Sequence, residues 1–177
     1  MIRAMNSTLE SKWHVIYIRP GFVRKVAASL SEQEIEFFLP TRVEIRQWHD
    51  RKKKIEAPVF PGYVFVRVGQ KDMVKIYNVA GFVRFLMTGD VIDSLTDQEV
   101  DAMKRLFRSD YQIADFDNYE GVPVRIIDGP LIGLQGYLEG IQENGRVMVS
   151  IEILNKSVKV LVVPGHLERI EDLATAV

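Results

Sequence analysis

The sequence contains no cysteine, which excludes disulfides, thiolate metal sites and cysteine nucleophiles. Histidine is nearly as scarce. His14, His49 and His166 stand in different segments, and no two have a ligand spacing such as H-x-x-x-H, so no metal site is predicted. No serine sits in a nucleophile elbow and no phosphate-binding glycine loop is present. Carboxylate pairs such as Glu34/Glu36 and Glu168/Glu171 lack a pocket signature and read as solvated. No apolar run approaches the roughly 20 residues of a membrane span. Residues 1–7 lack the apolar centre of a signal peptide. Together these absences predict a soluble, cytoplasmic binding protein, neither an enzyme nor dependent on a cofactor.

The chain has 177 residues, enough for one or two domains, and 47% are hydrophobic, enough for a substantial core. A net charge of -1 conceals an asymmetry. Residues 1–108 carry 18 Lys+Arg and 13 Asp+Glu, a balance of +5, whereas residues 109–177 carry 5 and 11, a balance of -6. A basic half joined to an acidic half suggests two modules with different partners, against the plainer reading of chance surface variation.

Trp13 to Arg19 is rich in β-branched and aromatic residues and reads as a strand. Pro20-Gly21 ends it. Phe22, Val23, Val26, Ala27 and Leu30 then recur at helical spacing, which predicts a helix to about Gln33. A strand from Ile35 through Trp48 follows, then a short helix from Lys71 to Asn78, a strand over Phe82 to Leu86, and a helix from Thr96 to about Ser109. Residues 110–120 are acidic and without period, and read as a linker. Beyond them lie four strands, over 122–127, 134–141, 146–153 and 158–163, separated by Gly- and Asn-bearing turns. Short strands so closely spaced predict a small β-barrel over 121–171. Val147, Val149, Ile151, Val158, Val160 and Val162 alternate along them, which predicts strands rather than helices as the resting form.

Two stretches stand out. Phe60-Pro61-Gly62-Tyr63-Val64-Phe65-Val66-Arg67-Val68 begins with a turn and runs into a strand. Alternation puts Val64, Val66 and Val68 on one face and Tyr63, Phe65 and Arg67 on the other. The valines read as core. The aromatics fit either a second buried face or a docking surface. Upstream, Arg51-Lys52-Lys53-Lys54 reads as the tip of a β-ribbon spanning 42–59. Such a run is solvated or blunts a sheet edge, and it also suits phosphate contact.

Three matches share one order. Trp13-His14-Val15-Ile16-Tyr17 followed by a helix resembles the opening of the NusG N-terminal domain. Phe60-Pro61-Gly62-Tyr63-Val64-Phe65-Val66 resembles that domain's most recognisable stretch. Gly121-Val122-Pro123-Val124-Arg125-Ile126-Ile127-Asp128-Gly129-Pro130 resembles the KOW motif. The resemblance implies an α/β (α+β) protein: a NusG-type antiparallel sheet with flanking helices over 12–109, then a KOW, SH3-like barrel. It implies a transcription elongation or antitermination factor that docks on the β′ clamp helices of RNA polymerase, with a possible reach to the β subunit. Tyr63, Phe65 and Phe85 match positions that line the family's clamp-helix pocket. Phe60 and Phe82 are neighbours in the same motifs, for which core packing is an equal reading. Arg24 and Lys25 match basic positions facing non-template DNA, and Arg51, Lys52, Lys53 and Lys54 form a second candidate surface toward upstream DNA. The KOW domain implies recruitment of a small-subunit ribosomal protein or Rho. The basic run and Phe82-Val83-Arg84-Phe85 look like the RfaH-like and UpxY-like paralogues that serve single operons of the capsule type. The general factor is the second reading, and a ribosome- or RNA-binding KOW module a third.

Overall fold

A computed structural model describes residues 11–47, 52–109, 111–115, 121–154 and 156–171, with the backbone alone for 46 and 112–115. The chain divides into two compact units, Met1–Thr96 and Asp97–Val177.

The first unit runs β1 (Lys12–Ile18), α1 (Val23–Glu32), β2 (Glu36–Phe38), β3 (Thr41–Gln47), β4 (Lys52–Pro58), β5 (Tyr63–Val68), α2 (Met73–Tyr77), β6 (Phe82–Phe85), β7 (Met87–Thr88) and β8 (Val91–Ile92). Four strands form an antiparallel sheet in the order β2-β5-β1-β6. The register pairs His14 with Val66, Ile16 with Val64, and Ile16 again with Phe85 across β6. Directly paired residues share a sheet face, so His14, Ile16, Val64, Val66 and Phe85 lie together. Against this face pack Val26 and Leu30 of α1, Ile76 of α2, and Val79. Full burial of each such side chain stabilises by about 1.5–3 kcal/mol.

The long strand expected over Ile35 to Trp48 is broken at Leu39-Pro40, which lie outside both β2 and β3. Pro40 has no N–H with which to continue a ladder. Beyond it, among the described residues, β3 pairs only with β4, in a two-stranded ribbon. The ribbon returns to the sheet where Val59 N donates to Pro40 O at 2.8 Å. The basic run is placed differently from expectation. Lys52, Lys53 and Lys54 are not at a turn but on β4, opposite Gln47, Arg46 and Ile45. Cross-strand pairing overrides lysine's weak strand preference. Arg51 and the turn itself lie outside the described residues.

The second unit comprises α3 (Asp97–Leu106), β9 (Gln112–Asp115), β10 (Val122–Ile126), β11 (Gln135–Ile141), β12 (Val147–Ile153), β13 (Lys156–Val162), a 3-10 turn (Pro164–His166) and β14 (Leu167–Arg169). Its antiparallel sheet has the order β14-β10-β11-β12-β13-β9. The expected valines pair inward as Val147–Val162, Val149–Val160 and Ile151–Val158, and all are buried. A register shift between Leu138 and Gly140 interrupts the β11–β12 ladder, a device that bends a sheet toward closure. The fold is thus the sheet-dominated α+β architecture expected, with a barrel-like second unit in strand form.

Two boundaries differ from expectation. The stretch read as a linker, 110–120, contributes β9, which pairs Gln112 with Lys159 and Asp115 with Lys156. Backbone pairing on an open sheet edge supplies a strand that side-chain alternation does not announce. The unit boundary also falls before α3, not after it. Arg105 Nε of α3 donates to Pro130 O.

Candidate functional site

The sheet face opposite α1 and α2 carries Trp13 and Tyr17 of β1, Phe38 of β2, and Tyr63 and Phe65 of β5. Val15 pairs with Phe65, and Tyr17 with Tyr63, while Phe38 pairs with Phe65 from the other side. Phe65 is only 1% exposed. Its ring lies 5.7 Å from Phe38 and 6.4 Å from Phe60, and Phe60 is also buried. These rings form a packed floor rather than an open surface. The half-buried Tyr63 lies at its margin, with its ring 5.3 Å from that of Tyr17. Arg84 pairs with Tyr17 across β6 and holds its guanidinium 5.9 Å from the Tyr17 ring centroid. Gly62 makes this arrangement possible. Its φ of +88° suits glycine, and a Cβ there would lie 2.8 Å from Tyr17 Cε2.

Phe82 and Phe85 are elsewhere. Their rings are 5.3 Å apart, and Tyr77 of α2 contacts both at 5.4 and 5.6 Å. Phe85 is buried on the helix-backed face with Ile16 and Val64. Of the residues matched to the clamp-helix pocket, Tyr63 and Phe65 thus lie on one sheet face and Phe85 on the other, with Phe60 packed beside Phe65 and Phe82 beside Phe85. The first presents Tyr63 with Tyr17 and Arg84. The second presents half-buried Phe82 and Tyr77, the latter 56% exposed. Tyr17, Tyr77 and Arg84 were not singled out from sequence. For Tyr17 a signal existed, since it shares alternation parity with Trp13 and Val15, but its partner strand did not follow from sequence.

The basic candidates form two separate groups on different elements. Arg24 and Lys25 are exposed in the first turn of α1, with Lys25 Nζ 5.2 Å from the Phe22 ring centroid. Lys52, Lys53 and Lys54 are exposed on β4. Pairing gives the ribbon two unlike faces. Lys52 and Lys54 share one face with Val43 and Ile45, each 64% exposed. Lys53 shares the other with Arg42, which pairs with Glu44 at 2.8 Å. That exposed ion pair contributes little stability. Among the described residues no cluster of three or more His, Asp or Glu could hold a metal ion, and no helix is long and apolar enough to cross a membrane.

Against known proteins, residues 11–104 match the family model described as transcription termination factor nusG. The transcription termination/antitermination protein NusG of Pseudomonas aeruginosa is 30% identical, over 92% of this chain and all of that protein. The NusG of Vibrio parahaemolyticus is 28% identical, over 94% of this chain and all of that protein. The solved structure of Thermotoga maritima NusG aligns with 92% of this chain and 98% of its own, with a TM-score of 0.52 and 22% identity, and so shares its fold. The aromatic strand, the ribbon and the basic start of α1 all fall inside the matched span, which exceeds half of the chain, and the protein belongs to the NusG family.

Proposed function

We propose that this protein is a transcription elongation and antitermination factor that docks on the β′ clamp helices of RNA polymerase and suppresses pausing or termination. The observation that carries the docking role is the half-buried Tyr17–Tyr63 pair with Arg84 beside it, set on a floor of buried phenylalanines. A rigid aromatic surface of this kind supplies large contact area at low entropic cost, and interface hot spots are rich in Tyr and Arg. Phe60 and Phe65 then act from beneath, holding the tyrosines. Phe82 and Phe85, on the far face, support the sheet or a separate contact with Tyr77.

In this reading Arg24 and Lys25 face non-template DNA, and the ribbon carrying Arg51, Lys52, Lys53 and Lys54 reaches toward upstream DNA or the polymerase β subunit. The C-terminal module recruits a further factor, of which the small ribosomal subunit and Rho are the candidates. The basic run leading into Phe60 supports restriction to one operon, as in the RfaH-like and UpxY-like paralogues. The second reading is a general factor, favoured by the names its relatives carry. Pull-down with core RNA polymerase tests the docking role. Tyr63→Ala is expected to weaken binding by about 2 kcal/mol, roughly 30-fold, and unchanged binding by both Tyr17→Ala and Tyr63→Ala refutes it. Transcript profiling after deletion separates the two readings: loss of distal transcripts in one long operon supports the specialised factor, and a genome-wide change in pausing supports the general one.

A further inference from the structure

We infer that the open face of the β3–β4 ribbon is a protein-binding face. It is built for a surface of the transcribing polymerase that is apolar at its centre and acidic toward the ribbon's tip, not for DNA phosphate. This assignment rests on the polymerase docking proposed above and names the contact that the ribbon adds to it.

Cross-strand register divides the ribbon's side chains between two faces, and the two are unequally covered. On one, Ala57 is buried, and Glu44 and Ile55 are half-buried. On the other, Val43, Ile45, Gln47, Lys52, Lys54 and Glu56 are all exposed. An antiparallel sheet with one covered face ordinarily turns apolar residues in and polar ones out. Along β3 this order is reversed. Arg42 and Glu44, an ion pair, share the more covered side, while Val43 and Ile45 are each 64% exposed. One exposed apolar side chain is ordinary. Here two stand side by side on one strand, about 7 Å apart. Departures of this kind from the local pattern are expected where a surface is functional.

The rim supplies the partner's chemistry. Lys54 lies directly opposite Ile45, Lys52 lies beyond it toward the tip, and Glu56 lies opposite Val43 at the base. Among the described residues neither of these lysines is in an ion pair. Lysine stems lie along apolar neighbours and keep their ammonium groups in water. The face is thus an aliphatic pair bordered by positive charge at the tip and negative charge at the base. Apolar residues of a partner would cover the pair, and its carboxylates would meet Lys52 and Lys54. A protein surface offers both. Duplex DNA matches the lysines alone: phosphate contacts use cations and hydrogen-bond donors, whereas Val43 and Ile45 would displace water from phosphate oxygens without replacing its hydrogen bonds. A two-stranded ribbon also fits a major groove, so DNA is the rival occupant. Strand propensity is the plainer reason for β-branched residues here, and threonine serves it as well.

Val43→Thr with Ile45→Thr keeps the β-branching and removes the apolar surface. Binding of this full-length variant to an elongation complex, core RNA polymerase on a nucleic-acid scaffold, is expected to weaken by about tenfold. Its affinity for free duplex DNA and the cross-strand NMR contacts of β3 and β4 should stay as in wild type. A photo-reactive p-benzoylphenylalanine in place of Ile45 gives a second measurement that does not depend on the threonine pair. On irradiation of the complex it should cross-link to a polymerase subunit. Cross-linking to DNA alone, or to a second copy of this chain, overturns the inference. Unchanged polymerase binding by the threonine pair, where Tyr17→Ala weakens it, also overturns the inference and leaves the docking role standing. If the wild-type chain does not bind polymerase at all, the docking role and the ribbon assignment fall together.

Discussion

Phe65→Ala separates floor from surface on the aromatic face. Phe65 is 1% exposed and lies between Phe38 and Phe60, opposite Val15. Truncating a buried phenylalanine costs about 3–5 kcal/mol, including the cavity left behind. Tyr63 is half-buried and has one aromatic neighbour, Tyr17, so Tyr63→Ala is expected to cost about 1–2 kcal/mol through reduced burial and the missing ring pair. Domains are stable by only about 5–15 kcal/mol. The first change therefore removes a large share of the folding free energy and the second does not. Urea denaturation followed by tryptophan fluorescence measures both. Trp13 is buried on the same face, and a Trp48→Phe background makes it the sole reporter. With a urea slope of about 1–3 kcal/mol/M, Phe65→Ala should lower the midpoint by about 1 M or more. If its midpoint moves no further than that of Tyr63→Ala, Phe65 is not the floor. The comparison also guards the pull-down: weakened polymerase binding is informative for Tyr63→Ala and is confounded by unfolding for Phe65→Ala.

Other outcomes follow from single interactions. Ser150 and Ser157 are buried and hydrogen-bond to each other through their hydroxyls; Ser157→Ala should cost about 1–3 kcal/mol, and adding Ser150→Ala should recover part of it, which thermal melting of the two variants beside wild type checks. At Gly136 a Cβ would lie 2.4 Å from Ser150 O, a backbone atom; Gly136→Ala should destabilise the second unit by about 1–3 kcal/mol, visible as loss of amide protection in β11 and β12 with β1 and β5 unaffected. If the ribbon binds duplex phosphate, Lys52→Glu with Lys54→Glu should reduce the slope of log affinity against log salt by about 0.9 for each phosphate no longer neutralised, and an unchanged slope in DNA titrations counts against that role.

Much of the fold was legible because side-chain period reports burial directly. The alternating valines of β12 and β13, the strand at Trp13 and the apolar stripe of α1 all lie where their spacing predicts. What was not legible depends on pairing. Alternation assigns Phe65 and Phe85 each to a face of its own strand but cannot say that the register turns those faces in opposite directions. The strand β9 was hidden for a related reason: its backbone is held by an edge distant in sequence. Lys52, Lys53 and Lys54 look like a turn because lysine runs are usually solvated, yet Ile45, Arg46 and Gln47 across the ribbon extend the ladder through them. The tyrosine pair was half visible, since Tyr63 belongs to a recognisable stretch and Tyr17 becomes its partner only in three dimensions.

The break at Pro40 gives the ribbon a particular evolutionary freedom. Because β3 and β4, among the described residues, pair only with each other, residues can be added or removed at their far end without disturbing any strand of the main sheet. Matched gains beyond Gln47 and Lys52 lengthen the arm and keep Val43, Ile45, Lys52 and Lys54 on one side. A one-residue slip of β4 against β3 would move Lys52 and Lys54 to the opposite side from Val43 and Ile45. The arm's reach can thus change at its tip without altering its faces, whereas a register slip creates a different binding surface at a stroke.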